Sequence, residues 1–307
     1  MSTTTEDLAV SEEVDRAARA ELAPRRRAGR HRRGYWRYVP LTAWAVFVLF
    51  PLYWVLITAF KDNGSIYGGV RWLPFVDYQP TLLAWRDILV GSNSVLGPLV
   101  HSLVIVSVST LVALFLGSLA AFGLARFPLR VGWMRNHDLA FWIISQRIMP
   151  PVVVVLAFFI IFKDLELLDT LPGMMIAYLG YALPLTVWFM QGYFRQVPVE
   201  LEEAARIDGA TWLTVFLRVT LPLTTPGLIA TFLLAFSFSW NEFLFAVMLT
   251  QTNATTLPLT IAQQQGEQGT SWWNICAISL ISIVPMVAAA IFLQKRLVTG
   301  LLGGAGR

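Results

Sequence analysis

Six stretches of nearly unbroken apolar residues, at about 38–60, 100–124, 139–162, 171–194, 223–250 and 271–293, alternate with polar segments along the chain. Each is close to the ~20 residues a helix needs to cross bilayer hydrocarbon. The pattern predicts an all-α integral membrane protein with six transmembrane helices. One polar segment differs from the others. Between the fourth and fifth apolar stretches, residues 198–222 are charged and helix-forming. Pro198 suits a first helical position, Glu200, Glu202 and Glu203 complement the positive end of a helix dipole, and Gly209 suits a left-handed stop. Thr211 is placed to cap a second turn carrying Trp212, Leu213, Phe216 and Leu217, and Leu221-Pro222 to end it. A segment so charged cannot lie in hydrocarbon and must protrude into water.

Charge sets the orientation. Residues 1–34 form an expected disordered tail that turns basic at Arg25, Arg26, Arg27, Arg30, Arg32 and Arg33. The 125–138 loop carries Arg126, Arg130 and Arg135, the 198–222 insert and its approach carry Arg195, Arg206 and Arg218, and the end carries Lys295, Arg296 and Arg307. The alternate loops hold only Lys61, Arg71, Arg86 and Lys163. The positive-inside rule then places both termini and the insert in the cytoplasm. Trp36, Trp133, Trp272 and Trp273 fall at span ends, where an aromatic belt is expected. The expected organisation is a tail at 1–34, one six-helix domain at 35–297 with its insert helices at about 198–219, and a glycine-rich tail at 298–307. Outer loops at 61–97, with a helix-like stretch Thr81 to Val90, and at Thr255 to Thr270 are polar enough to meet a soluble partner.

Composition agrees with this picture and removes several functions. Of 307 residues, 56% are hydrophobic and 14% charged, too apolar for one soluble core. The net charge of +4 reflects arginines beside an apolar stretch, so membrane lipid and not nucleic acid is the expected partner. Cys276 stands alone in an apolar run as a packing group. His31, His101 and His137 are scattered, so no metal site is expected. Lys61, Lys163 and Lys295 are followed by Asp62, Asp164 and Arg296, and none closes the Gly-Lys-Ser or Gly-Lys-Thr of a phosphate-binding loop. His137-Asp138 borders a basic loop and reads as a solvated or headgroup-facing pair. No catalytic constellation is found, and the chain is not expected to be an enzyme.

Two charges interrupt the spans, Arg147 and Glu242. Each costs roughly 2.5–3.5 kcal/mol in hydrocarbon and is expected to face the bundle interior, a wet cavity or an interface. Arg147 is read as structural, and Pro150-Pro151 beyond it predict a break or kink. Trp240, Asn241 and Glu242 combine an indole face with amide and carboxylate groups, which suits a sugar ring and its hydroxyls. Hydrogen bonding between helices remains open for the same residues. Tyr181, Trp188 and Gln191 are further candidates for a substrate pathway.

The insert also carries a specific motif. Glu203-Ala204-Ala205, three residues, Gly209, nine residues, then Val219, Leu221 and Pro222 resembles the cytoplasmic signature of permease subunits of binding-protein-dependent ABC importers. Arg147-Ile148-Met149-Pro150-Pro151, Trp240-Asn241-Glu242-Phe243 and the glycines from Gly300 to Gly306 resemble the carbohydrate branch, the maltose, trehalose and polyol permeases. The resemblance covers the chain from about Tyr38 onward. It implies that Glu203, Ala204, Ala205, Asp208, Gly209, Ala210, Leu221 and Pro222 dock a partner ATPase. The chain would then form half a translocation pathway for a carbohydrate in a bacterial inner membrane. Implied partners are two ABC ATPase subunits, which would bind the ATP and magnesium, a second related permease, and an extracytoplasmic sugar-binding protein. The resemblance also implies that the segment after Gly300 reaches the ATPases; a disordered end is the alternative. A transporter driven by an ion gradient is the rival expectation; it would need inward carboxylates, and only Glu242 offers one.

Overall fold

A computed structural model describes residues 38–304 except 92 and 267–268, with residues 295–304 by backbone alone. The expected tail at 1–34, Trp36, Glu267, the side chains of Lys295 and Arg296, and residues 305–307 lie outside the described residues. The chain separates into two units, residues 1–52 and 53–307. In the first, the described residues are the exposed apolar turns of a helix from Tyr38 to Leu52. The second carries all the remaining elements.

The elements run α1 (Tyr38–Thr58), α2 (Asn63–Tyr67), α3 (Leu83–Val90), α4 (Leu96–Arg126), a hairpin β1 (Arg130–Val131) and β2 (Met134–Arg135), then α5 (Asn136–Ser145), α6 (Pro151–Asp164) and α7 (Leu171–Phe194). The insert holds α8 (Val199–Ile207), α9 (Trp212–Val215), a π-helical turn Phe216–Thr220 and α10 (Leu221–Leu223). The chain ends with α11 (Thr225–Trp240), α12 (Leu244–Leu249), α13 (Leu257–Gln263), a hairpin β3 (Gln265–Gly266) and β4 (Gly269–Thr270), and α14 (Trp272–Gly304). Among the described residues, four helices are long and apolar enough to span a membrane, α1, α4, α7 and α14 as far as Gln294, or five if Trp212–Leu223 and α11 form one bent span. The stretch expected as a glycine-rich tail begins inside α14.

Two of the six expected spans are not continuous helices. The 139–162 stretch is divided between α5 and α6. Pro150 lies at φ −55°, ψ 123°, the extended conformation that Pro151 imposes on the residue before it, and Pro151 opens α6. The 223–250 stretch divides at Asn241–Phe243, a break the apolar pattern does not predict. Its cause is the side chains there. Glu242 Oε1 accepts from the Phe245 amide at 2.9 Å, starting α12, and Asn241 Nδ2 donates to the Ser237 carbonyl at 2.8 Å at the end of α11. The segment Thr255 to Thr270, expected as an outer loop, contains α13 and the second hairpin.

The core is built on α4 against α7. Gly117 lets the two backbones approach, since a Cβ there would meet the Thr186 side chain. The Thr186 hydroxyl donates across the contact to the Ala113 carbonyl at 3.0 Å, and Ser109 donates to the Met175 carbonyl at 2.8 Å. Around this pair lie apolar clusters centred on Ile88, Phe236 and Ile278, on Met174, Tyr178 and Phe245, and on Phe122, Phe194 and Phe216.

A single carboxylate ties the turn before α7 to the end of α12. Asp169, at φ 55°, accepts the backbone N–H groups of Gln251, Thr252, Asn253 and Ala254 at 2.9–3.2 Å, and its own N–H donates to the Leu249 carbonyl at 2.8 Å. Burial pushes the Asp169 carboxyl up, but these N–H bonds outweigh burial and hold its pKa at about 2. Because the folded value is depressed, the stabilisation is complete above the ordinary value of 3.8 and is lost as pH falls through about 2. Asp169→Ala is expected to cost roughly 1–3 kcal/mol at neutral pH. Thermal unfolding of the two proteins in detergent should differ most near pH 7 and converge as the solution is acidified.

Candidate functional site

The insert is held on one side and open on the other. Helix α8 starts after Pro198, which stands at the N-cap, one residue before the position expected for it. The chain then leaves α8 through Gly209 at φ 87°, the left-handed conformation that ends a helix cheaply only for glycine. The Thr211 hydroxyl accepts from the Thr214 amide at 3.3 Å and opens α9. Leu221-Pro222 does not end the second helix as expected. The chain stays helical through the π-turn to Leu223, with Pro222 in the first turn of α10, and bends by 80° at Thr224 into α11.

The attachment of α8 is ionic and buried. Glu202 is 1% exposed and receives the Arg126 guanidinium at 2.6 Å on Oε2 and the Thr220 hydroxyl at 2.8 Å on Oε1. Arg126, the last residue of α4, also donates to the carbonyls of Phe194 at 2.7 Å and Val197 at 2.9 Å. One guanidinium thus joins the ends of α4 and α7 to the insert, beside Phe122, Phe194 and Phe216, whose rings meet tilted or edge-on. Neither Arg126, Glu202 nor Thr220 stood out in the sequence. The acid looked like one of three that complement a helix dipole, and the arginine like one more cation of a basic loop.

The opposite face is exposed. Leu201, Glu203, Ala204, Arg206, Ile207, Asp208 and Gly209 face outward, with Ile207 at 86% exposure, while Ala205 and Ala210 are half-buried. Leu213, Leu217 and Pro222 are exposed and Leu221 half-buried. Small alanines beside an uncovered isoleucine form a surface on which another backbone could approach closely.

The candidates for a substrate pathway do not meet in one place. Trp240 is buried, stacked on Phe236 with ring centres 5.7 Å apart, and its indole N–H donates to the Ser282 carbonyl at 3.1 Å. Asn241 is exposed; Glu242 is buried, its carbonyl accepting the Tyr178 hydroxyl at 3.2 Å. Trp188 is exposed, and Gln191 is buried with Nε2 unpartnered among the described residues. Tyr181, by contrast, lines a cavity of about 290 Å³ with Gln146, Arg147, Phe158, Pro184 and Phe245. Arg147 donates to the Tyr181 carbonyl at 2.9 Å and lies 4.4 Å over the Tyr181 ring and 4.7 Å over the Phe238 ring. The cavity lies at the break between α5 and α6, lined there by Gln146, Arg147, Met149 and Pro151, and Phe245 brings the start of α12 to it.

Residues 113–300 match the family described as binding-protein-dependent transport system inner membrane component. The chain is 32% identical over 266 residues to the trehalose/maltose transport system permease protein MalG of Thermococcus litoralis, which covers 85% of this chain and 92% of that protein. It is 32% identical over 287 residues to the trehalose transport system permease protein SugB of Mycobacterium tuberculosis, across 90% of this chain and 98% of that one. Its fold is similar to a chain of a bacterial ABC transporter involved in the import of the acidic polysaccharide alginate, with a TM-score of 0.64 at 22% identity, over 84% of this chain and 94% of the other.

Arg126→Ala leaves the Glu202 carboxylate buried without its cation and is expected to cost about 3–5 kcal/mol. Arg126→Ala combined with Glu202→Ala should be less damaging than the single arginine change. Thermal unfolding midpoints of the three detergent-purified proteins check the order; a double variant worse than Arg126→Ala would contradict it.

Proposed function

The chain belongs to the binding-protein-dependent transport system inner membrane components, as a multi-pass permease of carbohydrate ABC importers, and we propose from this membership how its parts divide the work. The chain forms half of a translocation pathway beside a second, related permease. It crosses the membrane six times, with the 139–162 and 223–250 stretches as broken crossings, and keeps both termini and the insert in the cytoplasm. Two partner ATPases bind ATP and magnesium and drive the cycle, and an extracytoplasmic binding protein delivers the sugar.

The observation that carries this reading is the asymmetry of the insert. Its inner face is locked to two spans through Arg126 and Glu202, while Glu203, Ala204, Ile207 and Asp208 stand uncovered on the other. A push on the outer face would therefore move α4 and α7 as a body. Glu242, the carboxylate that an ion-driven transporter would need, already holds the Phe245 amide, which favours the ATP-driven reading. On the substrate side, the cavity at Tyr181 and Arg147 is the better site for a sugar than Trp240, whose indole is packed away. Non-helical backbone at membrane depth is tolerated where it lines a cavity, and the α5–α6 break does so.

Two experiments test the halves separately on the complete transporter in proteoliposomes. Gly209→Val places a branched residue at φ 87°, a strain of roughly 1–2 kcal/mol, enough for about a tenfold drop in docked insert. Uptake is expected to fall while ATP hydrolysis persists, and Gly209→Asn, which tolerates the left-handed region, should retain more uptake than valine. Equal uptake in wild type and Gly209→Val would contradict docking. Tyr181→Ala should raise the sugar concentration needed for half-maximal uptake with the complex intact; an unchanged value would remove the cavity from the pathway.

A further inference from the structure

The hairpin β1–β2 places two like charges side by side. Arg130 pairs directly with Arg135 across the strands, and Val131 with Met134, around a turn at Gly132 and Trp133. Directly opposed like charges destabilise a strand pair unless something of opposite sign lies between them. Both arginines are exposed, and among the described residues neither guanidinium has an acidic partner. Asp138, the nearby acid, is engaged otherwise: Oδ2 caps α5 by accepting the Arg135 amide at 3.0 Å, and Oδ1 lies 3.7 Å from His137 Nδ1.

The apolar residues around this pair are equally uncovered. Trp133 at the hairpin tip is 89% exposed. Helix α5 has no buried residue; Leu139, Ala140 and Ile143 rest against the Phe122 and Phe194 cluster, while Phe141 and Trp142 point away at 61% and 57% exposure. The segment is fixed in place, because Asn136 Nδ2 donates to the carbonyls of Leu124 at 2.7 Å and Phe127 at 2.6 Å at the end of α4. A rigid element with paired arginines beside exposed indoles has the chemistry of a bilayer interface, where tryptophan sits at headgroup level and guanidinium forks bind phosphate.

We infer that Arg130 and Arg135 together hold the phosphate of an anionic lipid of the cytoplasmic leaflet, with Trp133 and Trp142 seated in the interface beside it. The leaflet, though not the contact, rests on the proposed topology of the chain. The phosphate relieves the repulsion across the hairpin, and the lipid thereby braces the end of α4 that also carries Arg126.

The test uses the complete transporter in neutral detergent, with phosphatidylglycerol, phosphatidylcholine or inorganic phosphate added, and reads the thermal unfolding midpoint. Phosphatidylglycerol is expected to raise the midpoint of the wild type, with little effect from the other two. Most of that rise should disappear in Arg130→Gln/Arg135→Gln and survive in Arg130→Lys/Arg135→Lys. A full rise in the glutamine variant, no rise in the wild type, or an equal rise with inorganic phosphate would each overturn the proposal. The leaflet is checked by labelling Val131→Cys with an impermeant thiol reagent. Reaction only in inverted vesicles supports the cytoplasmic side. Reaction from outside in whole cells overturns that placement and the topology together, whereas inward labelling without a lipid effect overturns the lipid contact alone.

Discussion

A carboxylate sealed from water must keep its partners, and Glu202 has two: the guanidinium of Arg126 and the hydroxyl of Thr220. The proposed arrangement of the cytoplasmic end depends on that constraint. Arg126 cannot leave Glu202 without exposing an unpaired charge to a dry environment, and its Nη2 is committed to the carbonyls of Phe194 and Val197. The ends of α4 and α7 and the start of the insert are therefore one mechanical unit. An interaction of this kind adds little to net stability compared with apolar packing, but it penalises every arrangement in which the three elements separate.

The second constraint is the backbone itself. Every N–H and C=O at membrane depth needs a partner, so a helix can break only where something replaces the lost bonds. At Pro150-Pro151 the missing donors end one helix and open the next. At Asn241–Phe243 the side chains of Asn241 and Glu242 take backbone partners instead. The two breaks approach each other: Arg147 from the first lies over Phe238 beside the second, and Phe245 lines the same cavity. The two charged side chains of the expected spans, Arg147 and Glu242, lie at these interruptions, which is where a hydrated substrate could be accommodated.

Much of this was legible in the sequence, in proportion to how local the cause is. Apolar run length located α1, α4, α7 and α14, and the stop at Gly209 and the cap at Thr211 followed from residue type alone. The double proline announced the first break. The second was hidden because Asn241 and Glu242 sit among good span-forming residues, and their polarity suits either a ligand or a bond between helices, whereas part of it serves the nearby backbone. Trp240 likewise looked available and is buried against Phe236 and Ser282. The Arg126–Glu202 pair joins positions 76 residues apart, and no local pattern separates Glu202 from Glu200 or Glu203. Only the fold reveals which acid turns inward.

If the uncovered face of the insert is where an ATP-hydrolysing partner docks, a probe on that face should find the partner. The most direct test is a photo-activated crosslinker placed at position 207, where the side chain is 86% exposed, in the complete transporter in its native membrane. The expected result is a crosslinked product between this chain and the ATPase subunit, weakened by Gly209→Val. Crosslinking to lipid alone, with the ATPase present and active, would contradict docking at this face.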